Sequence, residues 1–226
     1  MGYDVSFHPI SPDEIQEWHF TPLTWIQQGQ EEKVLALAMQ HGIEDFYAEK
    51  YLDTLRVGAE TEPDELFDKS HGFYIAVIQG FFRDYYYTRG SAFSFLAEEK
   101  PEYARYFTPW AQVVPTALPN PAKNQIIENY CSGVYLSPNQ VLQILRDLEQ
   151  EPKVLEDLEK HWSDGQFAVL KKALTAAAEL GTGLLEATEV VEPNPLHPNE
   201  STCYSNLFHC DRDGVYLYID LSLIHI

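Results

Sequence analysis

One local pattern occurs twice and constrains the fold more than any other feature: a short apolar strand that runs directly into Ser-Pro and a helix. At the start, Tyr3, Val5 and Phe7 alternate with Asp4, Ser6 and His8 up to Ile10, the period of a β-strand. Ser11-Pro12-Asp13-Glu14 follows, with a capping serine, proline at the first helical position and Glu14 three residues after the cap. A helix is therefore expected through about Phe20. The arrangement returns at Ser132-Gly133-Val134-Tyr135-Leu136-Ser137-Pro138-Asn139-Gln140-Val141, where Gln140 takes the capping-box position. The pair is either a remnant of duplication or, more plainly, one good solution to helix initiation used twice.

Between these units the chain reads as helical over 31–41 and 43–56, from Glu62-Pro63-Asp64-Glu65 onward, along the apolar run 73–82, and briefly after Pro101. After the second unit, Val141, Leu145 and Leu148 fall on one helix face. Pro152 ends that helix, Val154, Leu155, Leu158 and Trp162 mark a second, and Phe167, Leu170, Leu174 and Ala177 a third. Residues 184–191 then read as a strand, and 204–210 with 215–220 alternate around Asp211-Arg212-Asp213-Gly214 as a hairpin. The sum is an α+β fold in a single domain, 1–226. A small, mostly antiparallel sheet (N-terminal strand, middle strand, C-terminal strand and hairpin) is expected to pack on one layer of six or seven helices. Pro109, Pro115, Pro119 and Pro121 make 109–123 a surface connection and the one subdomain seam. The ending 221–226 reads either as a non-native tail, the mark of a reading frame running into adapter sequence, or as a final edge strand.

Composition narrows the class. The formal charge is 15 − 35 = −20, with 45 % hydrophobic and 13 % aromatic residues. That content can build a core, so a disordered acidic tail is excluded. The acidity repels phosphate backbones, so no nucleic-acid partner is expected. No basic and apolar leader opens the chain, and no apolar run approaches the roughly 18–20 residues that span a bilayer. A cytoplasmic protein with no membrane partner is the expectation. Three cysteines, Cys131, Cys203 and Cys210, do not form a disulfide framework.

No dinucleotide or phosphate loop, nucleophile elbow, H-E-x-x-H or C-x-x-C motif is present. Two segments carry chemistry-bearing residues. Cys203, His209 and Cys210 supply two thiols and an imidazole, the ligand types zinc prefers, and Cys203 with His209 could form a nucleophile pair. The spacing fits no common zinc pattern, and adjacent strand residues point to opposite faces. Buried cysteines beside a capping Asp211 are the plainer reading. The second segment, Phe81 to Arg89, places Arg83, Tyr87 and Arg89 where they could form an anion or ligand pocket, with Arg83 and Tyr87 one helical turn apart. Its plainer reading is a buried helix whose arginines pair with Asp84, Glu98 or Glu99. Asp157 with His161 and Asp68 with His71 read as local salt links. No cofactor is implied.

The opening 1–10, the Gly133 to Pro138 turn and the Cys203 to Cys210 stretch resemble a family of uncharacterised acidic bacterial proteins of this size. A looser resemblance, in size, charge and α+β character, is to the immunity proteins that neutralise bacterial toxins. Neither resemblance brings catalytic residues. Two functions stay open. One is a binding module whose acidic surface engages a basic protein partner, with Trp18, Trp25 and Trp110 among the carboxylates. The other is a small enzyme or ligand-binding domain using Arg83 to Arg89 or Cys203 to Asp211. The first is preferred. A pocket holding Arg83, Tyr87 or His209 would favour the second.

Overall fold

The alternating first strand, β1 (Asp4–Ile10), lies in the middle of the sheet and is buried along its whole length. The computed structural model describes residues 3–61, 69–114, 130–201 and 207–223. Six further strands follow: β2 (Tyr85–Arg89), β3 (Tyr135–Leu136), β4 (Gly183–Thr188), β5 (Pro193–Asn194), β6 (His197–Ser201) and β7 (Cys210–Asp211). Five of the seven strands form one sheet in the order β3-β4-β1-β2-β7, and β5 with β6 makes a separate ribbon. The β1–β2, β1–β4 and β3–β4 pairs are antiparallel, but β7 runs parallel to β2, so the sheet is mixed.

Helices cover both faces of this sheet, where a single layer was expected. On one face Val5, Phe7, Tyr86 and Leu184 meet helices Pro138–Gln150, Pro152–His161 and Gln166–Leu180. On the other, Ile10, Tyr85, Tyr87 and Leu185 meet helices Asp45–Ala59, His71–Phe82 and Arg212–Leu223. An alternating strand normally leaves its polar face to water. Here the polar side of β1 is enclosed because its side chains find partners inside the protein.

Both Ser-Pro units form as expected. Glu14 N donates to Ser11 Oγ at 3.2 Å while Ser11 N donates to the Glu14 carboxylate at 2.8 Å. Ser137 N and Oγ both donate to Gln140 Oε1 at 2.8 Å. Eleven α-helices are described, more than the six or seven expected. One reason is that the first helix is interrupted by a π-helical turn, Gln16–Phe20, before it resumes as Thr21–Gln27.

The C-terminal hairpin is not formed. Residues Arg212–Leu223 are a helix, with Val215 and Ile219 buried one turn apart and Tyr216 exposed. The run Val215-Tyr216-Leu217-Tyr218-Ile219 is apolar at every position and so satisfies both periods. Gly214 serves close approach instead of a turn: a Cβ there would overlap the Tyr87 carbonyl oxygen. Asp211 Oδ1 accepts from Asp213 N at 3.2 Å at the start of this helix, and Lys172 reaches Asp211 and Asp213 at 2.6 and 2.7 Å.

Of the expected seam, residues 109–114 carry a short helix, Trp110–Val113, with Trp110 buried, and Thr108 bridges to β3. Residues 115–123, the helix start at 62–65 and the end 224–226 lie outside the described residues. Among the described residues no helix is long and apolar enough to cross a membrane.

Candidate functional site

Helix His71–Phe82 stops at Arg83, whose backbone is extended, and Tyr85–Arg89 is strand β2. The helical spacing expected for Arg83 and Tyr87 is therefore lost, and the trio divides. Arg83 turns back to Glu14, with its guanidinium 5.0 Å from the Trp18 ring centre. Tyr87 and Arg89, two residues apart on a strand, share a face and meet Asp4, the β1 residue paired with Arg89. Tyr87 Oη donates to Asp4 Oδ1 at 2.5 Å and Arg89 Nη1 donates to the same oxygen at 2.6 Å. The Arg89 guanidinium lies 4.4 Å from the Tyr218 ring centre. The partners of these arginines are thus Asp4 and Glu14, not Asp84, Glu98 or Glu99.

Burial pushes the Asp4 carboxyl up to about 6, although Tyr87 and Arg89 both pull it down. Burial and the Asp4 carboxylate hold the Tyr87 hydroxyl well above the usual tyrosine range. With its charge matched by Asp4, Arg89 has little left to offer an external anion, and the cluster reads as a clamp between β1, β2 and the C-terminal helix.

Cys203 lies outside the described residues. His209 has a left-handed backbone, φ 57°, and its Nδ1 donates to the Gly80 carbonyl at 3.2 Å. Cys210 opens β7, buried, with its sulfur 3.4 Å from the Asp211 carbonyl. Burial pushes its thiol up to about 12, which disfavours the thiolate at neutral pH. Among the described residues no three His, Cys, Asp or Glu side chains converge on a metal position. Of the expected carboxylate–imidazole pairs, Asp157–His161 is not formed, and Asp68 of the other lies outside the described residues. Asp157 holds Lys100 and Tyr103, His161 bonds the Ala92 carbonyl, and His71 faces His19 at 3.1 Å.

Two polar arrangements were missed by the sequence reading. Gln79 Nε2 donates to the carbonyls of Pro9 and Asp84, at 3.3 and 3.1 Å, so its Oε1 faces His8 Nδ1 at 2.7 Å. Nδ1 therefore carries the proton, and Nε2 accepts from the Ser6 hydroxyl at 2.8 Å. This is the hydroxyl–imidazole–amide order of a nucleophile relay. All three side chains are sealed, though, and Tyr85 stacks on the imidazole at 4.8 Å. Desolvation lowers His8 to about 4. The relay holds the core and cannot meet a substrate.

The second arrangement is Glu186 on β4, fully buried between Leu185 and Ala187. Its carboxylate accepts from Phe93 N at 2.5 Å, Ser94 N at 3.2 Å and Ser94 Oγ at 2.9 Å, the start of helix Phe93–Glu99. Burial raises it to about 7 against those donors. A lone carboxylate inside an apolar strand was the available signal, as was the alternation of Asp4, Ser6 and His8.

A pocket of about 200 Å³ lies beside β3, lined by Ala104, Phe107, Thr108, Pro109, Trp110, Gly133 and Val134. Arg83, Tyr87 and His209 are not among its walls. Comparison of the chain with protein-family models, with curated proteins and with solved structures returned no match.

Proposed function

We propose that this protein is a binding module of the bacterial cytoplasm, immunity-like in character, whose acidic helical face engages a basic protein partner. One observation carries the reading. Over the surface built from Phe93–Glu99, Pro101–Tyr106, Pro138–Gln150 and Pro152–His161, three of the five Lys and Arg side chains are matched within the chain, while the exposed Arg146 and Lys160 make no ion pair among the described residues. Lys100 pairs with Asp157, Arg105 with Asp147 and Glu151, and Lys153 with Glu102. The exposed Glu98, Glu99, Glu149, Glu156 and Glu159 make no ion pair among the described residues. Such a face speeds encounter with a basic surface and selects against acidic ones. Leu142, 45 % exposed on the same surface, adds an apolar anchor. Trp18 and Trp110, expected at the interface, are buried, and only Trp25 is partly accessible.

The test is native mass spectrometry of the protein purified from its own cells at low salt. A stoichiometric basic partner is expected. Its affinity should fall steeply with ionic strength and fall again when Glu98, Glu99, Glu156 and Glu159 are changed to lysine. Reversal of Glu32, Glu44 and Asp45 should have little effect. A bare chain, or a complex indifferent to the first set, overturns the reading.

A further inference from the structure

We infer that the pocket beside β3 binds a neutral, planar aromatic compound of one or two rings that carries a hydrogen-bond donor, phenol and indole being the simplest examples. This site is independent of the acidic face. Its size sets the scale: a cavity of about 150 Å³ admits benzene, so 200 Å³ accommodates a substituted ring.

The walls are apolar and preformed. Trp110 is fixed by Nε1 donating to the Gly133 carbonyl at 3.2 Å, and it packs so closely on Gly72 that a Cβ there would lie 2.7 Å from its ring. Phe107 sits edge-on to Phe93, centroids 6.1 Å apart, and Thr108 N bonds the Tyr135 carbonyl at 2.7 Å. Little ordering is then left to be done on binding. Among the described residues no charged side chain lines the pocket, so an ion would find no described countercharge there to replace its hydration.

The polar atoms fix the rest of the chemistry. The Thr108 hydroxyl uses its proton on Gln140 Oε1 at 2.6 Å, which leaves only lone pairs for a ligand. The Gly133 carbonyl accepts from Trp110 and retains a second lone pair. Both groups can accept and neither can donate, so a ligand O–H or N–H is what these two groups would engage.

The experiment is titration of the full chain with phenol, indole and toluene, followed by amide and indole N–H resonances of Thr108, Trp110 and Gly133. Saturable shifts are expected for phenol and indole, with toluene about 5- to 10-fold weaker. Thr108→Val should bring phenol down to the toluene level. Ala104→Phe, which fills the pocket from an exposed position, should abolish binding of all three while leaving the melting temperature unchanged. Absence of saturable shifts at those residues, equal binding of toluene and phenol to the unaltered protein, or undiminished binding to Ala104→Phe overturns the inference.

Discussion

Asp4 and Glu186 sit on neighbouring antiparallel strands, on opposite faces of one sheet, and both are enclosed. Asp4 has an arginine at 2.6 Å and a tyrosine hydroxyl at 2.5 Å. Glu186 has no cation, only the two N–H groups and one hydroxyl that begin helix Phe93–Glu99. Yet both are displaced in the same direction, to about 6 and about 7. Desolvation outweighs the cation in one case and the helix terminus in the other. What the arginine changes is the connection to solvent. Arg89 is partly exposed, so the Asp4 charge is shared with the surface, whereas Glu186 is wholly internal and acts as a cap for a helix on the other side of the sheet.

The largest test of this contrast is Glu186→Gln. The amide presents a donor to an N–H that needs an acceptor, at a cost of about 3 kcal/mol in urea unfolding. Its pH signature is sharper still. The folded carboxyl titrates near 7 against 4.5 when free. Its contribution is complete below about 4.5 and is lost as pH rises to 7, a swing of about 3 kcal/mol. His8 works in the opposite direction, contributing above 6.5 and losing that contribution as pH falls toward 4. His19, lowered by burial and by His71, follows the same sense. In the unaltered protein Glu186 and Asp4, both raised, oppose His8 and His19, both lowered, so the slopes largely offset between pH 4.5 and 6.5. In Glu186→Gln stability falls on acidification across that window, and an unchanged profile would refute the assignment.

Arg89→Met tests the other carboxylate. Left without its cation, Asp4 should cost about 2 kcal/mol at pH 8, and the deficit should shrink below pH 6 as Asp4 takes up a proton. Chemical unfolding at both values decides it, and a deficit independent of pH would mean that lost packing on Tyr218, not charge, dominates. Ser6→Ala removes the donor from His8 Nε2 and leaves a buried acceptor unmet, a loss of about 1–2 kcal/mol in the same measurement. Smallest of all is Lys153→Ala at the exposed pair with Glu102, which should leave the urea midpoint where it is.

Sequence legibility follows the same divide between local and distant partners. The capping boxes at Ser11 and Ser137 were readable because donor and acceptor lie three residues apart. The buried helix His71–Phe82 and the stripe of helix Pro138–Gln150 were readable because their apolar spacing holds within one element. Strand β2 was not. Its Tyr-Tyr-Tyr-Thr-Arg follows the apolar helix after only Arg83-Asp84, with no glycine or proline between, and pairing with β1 makes it a strand. The pocket was equally invisible, since Phe107 and Gly133 meet only when Thr108 bridges to β3.

Helix starts, the amphipathic stripes, the acidity and the α+β class came from the sequence alone, because each is settled by residues within a turn or two or by simple counting. The tertiary structure decided which polar residues are chemistry-bearing and which are internal partners. Asp4 and Arg89 are 85 positions apart and His8 and Gln79 are 71 apart. Whether such groups face solvent, a ligand or each other depends on strand pairing and on which helices close over the sheet. Those long-range contacts are what enclosed the polar side of β1, divided Arg83 from Arg89 and turned the C-terminal segment into a helix.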